Sequence, residues 1–247
     1  MKIIKYKKMS NNRYKVTTDD SDLILYEDVI LKYGLLIKKE IDISLIDSII
    51  NDNSFYQCYY DAINSIRSRI KSRYEINKYL INKSYDNSIV DKVILKLDSQ
   101  GYINDNLFTK SFINNSLITT NNGPGKIRME LEKRGISSEL FYSNISLFSK
   151  EDMITKINKL IDRSIKSNRN KGGVVLKNNI YNYLLRLGYD SDIINSCLSN
   201  YSFGTDLKIL EKEEEKLRKK YSKKYSGYEL ELVINRKLYQ KGLKSRI

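Results

Sequence analysis

The sequence contains no histidine and no tryptophan, and it has only two cysteines and one proline among 247 residues. Without histidine, the commonest general base and metal ligand is missing, so catalysis and metal binding find little support. Cys58 and Cys197 lie too far apart for a zinc site of the usual spacing and are expected to be reduced thiols of a cytosolic protein. A single proline, Pro124, favours helices with few rigid turns. We therefore expect no enzyme, no metal and no cofactor.

Long apolar runs are also missing. No stretch of about 18 apolar residues suggests a transmembrane helix, and no helix rich in Trp and Phe suggests a membrane anchor, so no membrane partner is expected. The Lys-rich stretch Met1–Met9 is followed by no apolar segment and is not expected to be a secretory signal. The 20 tyrosines accompany many Lys, Asn and Ile residues, a composition typical of an AT-rich genome, so they do not by themselves indicate base stacking.

The sequence has a large excess of positive charge. It contains 44 Lys and Arg against 30 Asp and Glu, a formal net charge of +14. This excess favours a polyanionic partner, either nucleic acid or an acidic protein surface.

A short apolar pattern occurs four times. It consists of an isoleucine, a leucine four residues later, a glycine or serine four residues after that, and then an apolar residue. The four leucines lie 51, 53 and 54 residues apart, a period typical of tandem-repeat proteins. In each copy the Ile and Leu share one helix face, and the glycine position ends the helix. The four copies are Ile76-Leu80-Ser84-Tyr85, Ile127-Leu131-Gly135-Ile136, Ile180-Leu184-Gly188-Tyr189 and Ile234-Leu238-Gly242-Leu243.

These patterns predict a mainly α protein built from tandem three-helix repeats, with a small N-terminal β-hairpin element. Lys2–Lys7 and Tyr14–Thr18 are predicted strands around a turn at Asn11-Asn12, and Asp22–Tyr26 could add a third. Asp86, Ser137 and Asp190 suit the N-caps of the third helices. The predicted boundaries are 1–52 for the N-terminal element, 53–103, 104–149 and 150–203 for three repeats, and 204–247 for a truncated fourth.

Four helices carry more specific expectations. A helix over Asp42–Ile50 is predicted to be followed by a separate one over Phe55–Lys71, and the third helix of the second repeat is predicted over Ser138–Phe148. Because Lys244 stands at a cap position and the sequence stops at Ile247, the fourth repeat is expected to lack its third helix. The charged segment 206–226 indicates a solvated helix. A functional role for its basic end, Arg218–Lys224, is the weaker alternative.

Two basic clusters are candidate partner or nucleic-acid contacts. Arg67, Arg69, Lys71 and Arg73 fall within seven residues with no acid among them, where Ile63, Ile66 and Ile70 mark a predicted buried stripe. Helical spacing would place Arg67 with Lys71 and Arg69 with Arg73 on shared faces, which suits phosphates or partner carboxylates. A solvated helix face is an equally good interpretation of the charge alone.

The second cluster is Lys126, Arg128, Lys133 and Arg134, which Glu130 and Glu132 partly offset. Lys126 is near a predicted helix N-terminus, where a cation is unfavourable unless an anion binds there. The adjacent Gly123-Pro124-Gly125-Lys126 lacks the upstream glycine and the following Ser or Thr of a phosphate loop. Pro124 is better interpreted as the first residue of a helix.

Four stretches, in order and spacing, resemble the RecX family of regulatory proteins. The first runs from Tyr26-Glu27-Asp28-Val29 to Lys32-Tyr33-Gly34-Leu35, and the second contains Arg69-Ile70-Lys71-Ser72 and Glu75-Ile76. The third is Gly101-Tyr102-Ile103-Asn104-Asp105 with Phe108, and the fourth is Gly123-Pro124 to Ile136, with Ile127, Glu130, Leu131 and Gly135. The sequence departs from the family pattern at Thr109 and at Lys38-Lys39.

The resemblance implies an elongated, curved array of three-helix repeats that lies in the groove of the RecA–DNA filament. There it would inhibit or modulate the ATPase, strand-exchange and coprotease activities of RecA. The implied protein is a cytoplasmic monomer whose partner is the RecA filament, with single- and double-stranded DNA as weaker partners. Arg69, Lys71 and Asp105 are carried over by motif position, and Asp105 also suits the N-cap of the following helix.

Two alternatives remain open at the level of the sequence. A three-helix unit could place one helix in a DNA groove and act on nucleic acid without RecA. The chain could also be an adaptor between two proteins, with its charge serving solubility.

Overall fold

The protein begins with a small antiparallel sheet. The structure, a computed structural model, describes residues 1–168, 171, 173–204 and 207–243. Strands β1 (Ile3–Lys8), β2 (Arg13–Thr18) and β3 (Asp22–Tyr26) pair in the order β1-β2-β3. Asn11 and Asn12 both have positive φ in the first turn, a conformation that asparagine tolerates better than most residues. The predicted hairpin is confirmed, and the third strand extends it.

The sheet is stable because a helix covers one of its faces. Val16 and Leu25 are buried in one core with Val29 and Ile30 of α1 (Glu27–Lys32). The chain leaves this helix through Gly34, whose φ of 63° lies in the left-handed region, and then forms the short α2 (Leu35–Lys38).

The two helices predicted over Asp42–Ile50 and Phe55–Lys71 are in fact one. A 3₁₀ turn at Ile43–Leu45 leads directly into α3 (Ile46–Ser68). Asp42 accepts a hydrogen bond from the Ser44 N–H and so starts the 3₁₀ turn. The apolar face expected here is largely unburied, since Ile43 is 72% exposed while Ile49 is buried. Asn53 lies within this continuous helix, where its side chain accepts from the Tyr26 N–H and donates to the Ile24 carbonyl of β3.

The remaining chain is helical. Its helices are α4 (Arg73–Asn82), α5 (Asn87–Ser99), α6 (Asp105–Thr119), α7 (Pro124–Glu132), α8 (Ser138–Tyr142), α9 (Lys150–Ser167), α10 (Gly173–Arg186), α11 (Ser191–Leu198), α12 (Leu207–Tyr221) and α13 (Gly227–Gln240). The third helix of the second repeat is shorter than predicted and ends at Tyr142, with a 3₁₀ turn at Ile145–Leu147. The buried Asn144 explains this, because its side-chain amide donates to the Leu140 carbonyl and competes with continued helix. The truncation predicted at Lys244–Ile247 lies outside the described residues.

Each copy of the fourfold Ile–Leu–Gly pattern marks the buried face of a helix and the residue that ends the helix. Every Ile and Leu of the four copies is at most 2% exposed. The residue four positions after each leucine has positive φ, and at Ser84 a serine takes the conformation that glycine has elsewhere. In the first, third and fourth copies, the apolar residue that follows donates its N–H back to the leucine carbonyl, which caps the helix.

Two compact units divide the chain. One comprises Met1–Thr109 with Lys133–Ser137, and the other comprises Lys110–Glu132 with Ser138–Ile247. The repeat boundaries given above stay predictions.

In the second unit, the start of α7 lies against the end of α10. The Gly123 N–H donates to the Leu187 carbonyl at 2.6 Å, and the Gly125 N–H donates to the Gly188 carbonyl at 2.9 Å. A Cβ atom on Gly123 would lie 2.8 Å from the Gly188 carbonyl carbon, closer than real contacts allow. The glycines around Pro124 therefore serve close packing, and Pro124 is the first residue of α7, as predicted.

A similar joint lies in the first unit, at the start of α4. The Ser72 hydroxyl donates to the Arg134 carbonyl at 2.7 Å and also accepts the Glu75 N–H at 3.1 Å. A Cβ on Gly135 would lie 2.4 Å from the Cβ of Tyr74. The capping position of one repeat is thus packed against the stop position of the next.

Helices α12 and α13 are joined by a buried carboxylate. Glu213 is 6% exposed and accepts from Lys241 at 2.6 Å and from Lys216 at 2.9 Å. These two hydrogen bonds, first that of Lys241, hold the pKa of Glu213 below its ordinary value. A lowered folded-state pKa stabilises the fold above the unfolded-state pKa, and that stabilisation disappears as pH falls through the folded-state pKa.

We therefore expect acid to destabilise the wild-type protein more steeply than the Glu213→Gln variant. The measurement is the free energy of urea unfolding between about pH 6 and pH 3. Glu215→Gln is the matched control, because Glu215 makes only an exposed ion pair with Lys219. Equal pH dependence in wild type and Glu213→Gln would contradict the assignment.

Candidate functional site

The first predicted basic cluster lies where α3 ends and α4 begins. Helix α3 stops at Ser68, and Arg69 is extended, with φ −166° and ψ 153°. The predicted shared helix faces are therefore wrong, since the four cations are not on one helix. The predicted buried stripe is also only partly correct, because Ile63 and Ile66 are half-buried while Ile70 is 48% exposed.

Arg69 is occupied by an internal carboxylate. Its Nη2 lies 3.2 Å from Glu75 Oε1, and the Nε of Arg134 lies 3.6 Å from the same oxygen. Glu75 also completes the capping box of α4 with Ser72. Arg69 of the first cluster and Arg134 of the second therefore both bind Glu75, the carboxylate that helps to cap α4.

Arg73 is likewise held inside the fold. Its guanidinium lies 2.7 Å from Asp98 Oδ2 at the end of α5. Its backbone N–H donates to the Asp105 carboxylate at 2.8 Å. The prediction that Asp105 caps its own helix is wrong, because Asn104 accepts the Leu107 N–H as the cap of α6.

Lys71 and Arg67 differ from their neighbours. Lys71 donates to the Ser65 hydroxyl at 3.1 Å and lies 4.9 Å from the centre of the Tyr79 ring. Desolvation, followed by repulsion from Arg69, lowers the pKa of Lys71. Arg67 is exposed at the end of α3 and has no ion pair within the described residues.

The second cluster divides between the two compact units. Lys126 and Arg128 belong to the second unit, while Lys133 and Arg134 belong to the first. Arg128 Nε lies 3.5 Å from Glu132 Oε1, and its Nη1 donates to the Tyr142 hydroxyl at 2.8 Å. Lys133 is exposed.

The N-terminus of α7 does not call for a bound anion. The Leu187 and Gly188 carbonyls already accept the N–H groups of Gly123 and Gly125, and their partial negative charge also compensates the nearby Lys126. Lys126 has no ion pair in the part of the chain that the structure describes.

Half of the predicted cations, the four arginines Arg69, Arg73, Arg128 and Arg134, thus pair with carboxylates of the chain itself. Glu75 and Asp98 are separated from the arginines they bind by turns and whole helices. Unpaired lysines lie close together at the turn between α12 and α13, within the segment 206–226 that was predicted to be a solvated helix. The sequence signal was available there, because 216–228 holds six basic residues and no acid.

Metal binding finds no support in the described residues. Among the residues that the structure describes, no group of three or more Cys, Asp or Glu side chains lies close enough together to hold a metal ion. Cys58 and Cys197 are buried thiols. Burial raises the pKa of Cys58 to about 12 and also raises that of Cys197.

Within the described ranges, none of the helices combines the length and the apolar character that crossing a bilayer requires.

Comparison with known proteins identifies similar chains along almost the whole sequence. "Regulatory protein RecX" of Halalkalibacterium halodurans is 25% identical over 97% of this chain and 93% of that protein. The protein of the same name from Oceanobacillus iheyensis is 25% identical over 95% and 90%, and that from Bacillus cereus is 28% identical over 97% and 92%. No protein-family model matches the sequence.

The fold is also similar to solved structures. A crystal structure of regulatory protein RecX covers 80% of this chain and 98% of its own, with a TM-score of 0.71 and 21% identity. RecX from Lactobacillus salivarius covers 60% and 97%, with a TM-score of 0.57. The predicted helical fold with its N-terminal sheet and the resemblance seen in the sequence are both confirmed, and the names of these relatives describe regulatory proteins.

Proposed function

We propose that this homologue of the RecX regulatory proteins is a cytoplasmic monomer that binds in the groove of the RecA–DNA filament. In this role it inhibits or modulates the ATPase, strand-exchange and coprotease activities of RecA without catalysing a reaction. The observation that carries the proposal is similarity to proteins named Regulatory protein RecX over 95–97% of the chain. The net charge of +14 supports binding to a filament rich in phosphate.

The internal ion pairs divide the predicted contact residues into two groups. Arg69, Arg73, Arg128 and Arg134 pair with carboxylates of the chain itself, so their first role is structural. Arg67, Lys71 and Lys126 have no ion pair in the described residues, and Lys133 is exposed. Of these, Arg67 is the best candidate for a partner contact, because it is exposed and its side chain makes no ion pair in the part of the chain that the structure describes.

The experiment is a titration of the single-strand-dependent ATP hydrolysis of RecA with this protein. We expect hydrolysis to change at far less than one molecule per RecA, because a protein lying in the groove acts on several subunits. The Arg67→Glu variant should need about tenfold more protein for the same effect, equal to a loss of about 1.4 kcal/mol in binding.

Arg186→Glu is the matched control. Arg186, like Arg67, is an exposed arginine in the last turn of a helix with no ion pair in the described ranges. It should act as wild type does. If Arg67→Glu also acts as wild type while remaining folded, the contact assignment is wrong, and if the wild-type protein leaves hydrolysis unchanged, the proposed function is wrong.

The positive charge also favours a second candidate, a module that binds DNA without RecA. It would show steeply salt-dependent binding to bare DNA and no effect on RecA.

A further inference from the structure

The turn between α12 and α13 contains positive charge that the fold does not neutralise. Lys216 binds Glu213, Arg218 binds Glu231 and Lys219 binds Glu215, so these three cations of α12 are paired. Lys220, Lys223 and Lys224 are exposed and have no ion pair in the described residues. We call these three lysines, together with Tyr228, the basic tip.

Aromatic rings hold this turn in place. Tyr221 and Tyr225 are half-buried against the core formed by Leu217, Leu230 and Ile234. The Nζ atoms of Lys220 and Lys224 each lie 5.5 Å from the centre of the Tyr221 and Tyr225 ring, respectively. Two of the three free ammonium groups are therefore placed by rings that are anchored in the core.

Tyr228 has a different position. It lies in the first turn of α13 and is 78% exposed, although its ring is large and apolar. Tyr228 follows the pair Lys223-Lys224 by four residues along the chain, so an exposed flat ring and two free cations belong to the same turn region. This combination of cations with a free ring is typical of surfaces that hold single-stranded nucleic acid.

The helix dipole explains only part of the charge. Cations stabilise the last turn of a helix, which accounts for Lys220. Helix α12 ends at Tyr221, so Lys223 and Lys224 lie beyond it, in the turn. The dipole also gives no reason for the exposure of Tyr228.

We infer that the basic tip binds the phosphodiester backbone of single-stranded DNA through Lys220, Lys223 and Lys224, and stacks a base on Tyr228. Carboxylates of an acidic protein would satisfy the lysines but would leave the exposed ring unused. The inference extends the proposed function by assigning a DNA contact. It can fail while regulation of RecA stands, because its test contains no RecA.

The experiment measures binding of the full chain to a fluorescent oligothymidine of about 20 nucleotides by anisotropy, over a series of salt concentrations. In the triple variant Lys220→Gln, Lys223→Gln, Lys224→Gln, three phosphate contacts are lost. The slope of log affinity against log salt should become shallower by about 2, and affinity at 0.1 M salt should fall about 100-fold.

Two further variants separate charge from stacking. Tyr228→Ala should weaken binding by about tenfold with an unchanged salt slope, while Tyr228→Phe, which keeps the ring, should bind as wild type does. The charge control is Lys5→Gln, Lys7→Gln, Lys38→Gln, which removes the same charge from three exposed lysines with no ion pair in the described residues. It should keep the wild-type slope within about 0.5.

Two results would overturn the inference. One is an unchanged salt slope in the folded tip variant, and the other is an equal loss of slope in the control, which would mean diffuse attraction. A folded tip variant that binds the oligonucleotide as the wild type does would instead favour an acidic protein surface as the partner of the tip.

Discussion

Gly188→Ala should lower the free energy of unfolding by about 4 kcal/mol. Gly188 has a φ of 84°, and a left-handed backbone costs a residue with a Cβ about 1–2 kcal/mol. The added Cβ would also lie 2.2 Å from the backbone nitrogen of Lys126, so α7 would have to move away from α10. That movement breaks the hydrogen bond from the Gly125 N–H and adds an overpacking cost of about 1–3 kcal/mol.

The chain contains a matched control for this variant. Gly101 has a similar φ of 74°, but a Cβ there would meet no atom within 4 Å. Gly101→Ala should therefore cost only about 1 kcal/mol, and the difference between the two variants isolates the close approach. The measurement is urea unfolding followed by circular dichroism. Equal costs for both variants would mean that the joint relaxes and that its tight geometry contributes little.

Ser72→Ala should lower the free energy of unfolding by about 2 kcal/mol, which is more than the usual cost of losing a helix cap. Ser72 is fully buried and its hydroxyl has two roles, since it accepts the Glu75 N–H and donates to the Arg134 carbonyl. Loss of the cap costs about 1 kcal/mol, and a half-buried carbonyl left without its donor adds about 1 kcal/mol.

Asp190→Ala is the comparison for Ser72, measured by the same unfolding experiment. Asp190 caps α11 by accepting the Asp192 N–H at 2.8 Å, and no described hydrogen bond links its side chain to another repeat. It should cost about 1 kcal/mol. If Ser72→Ala costs no more than Asp190→Ala, the bond to the Arg134 carbonyl is not stabilising.

The repeating part of the fold could be predicted because it depends on local chemistry. Ile and Leu one turn apart must share a face, and a residue with positive φ must follow the helix, so a pattern of four positions marks each unit. The first copy of the pattern was recognised although it has Ser84 in place of glycine, because its apolar positions have the same spacing as in the other copies. The continuous helix α3 was missed because Asn53, in the polar stretch at 51–53, bonds the backbone of β3, and a sequence does not show which distant strand a side chain will bond.

The candidate site was less predictable for the same reason. The cluster from Arg67 to Arg73 contains no acid in sequence, but Glu75 and Asp98 reach it in the fold. Charge density along a sequence counts cations without counting the carboxylates that tertiary structure brings to them. For the same reason, the segment after Glu215 was predicted to be an ordinary solvated helix. In the structure, Lys220, Lys223 and Lys224 have no ion pair within the described residues.

The two buried thiols have a practical consequence. The thiolate is the reactive form of cysteine, and burial keeps Cys58 and Cys197 protonated near neutral pH. A cysteine introduced in place of the exposed Ser222 would therefore be alkylated far faster than either of them. The turn between α12 and α13 can thus carry a single maleimide dye without removal of the native cysteines, which gives a fluorescent reporter next to Lys223.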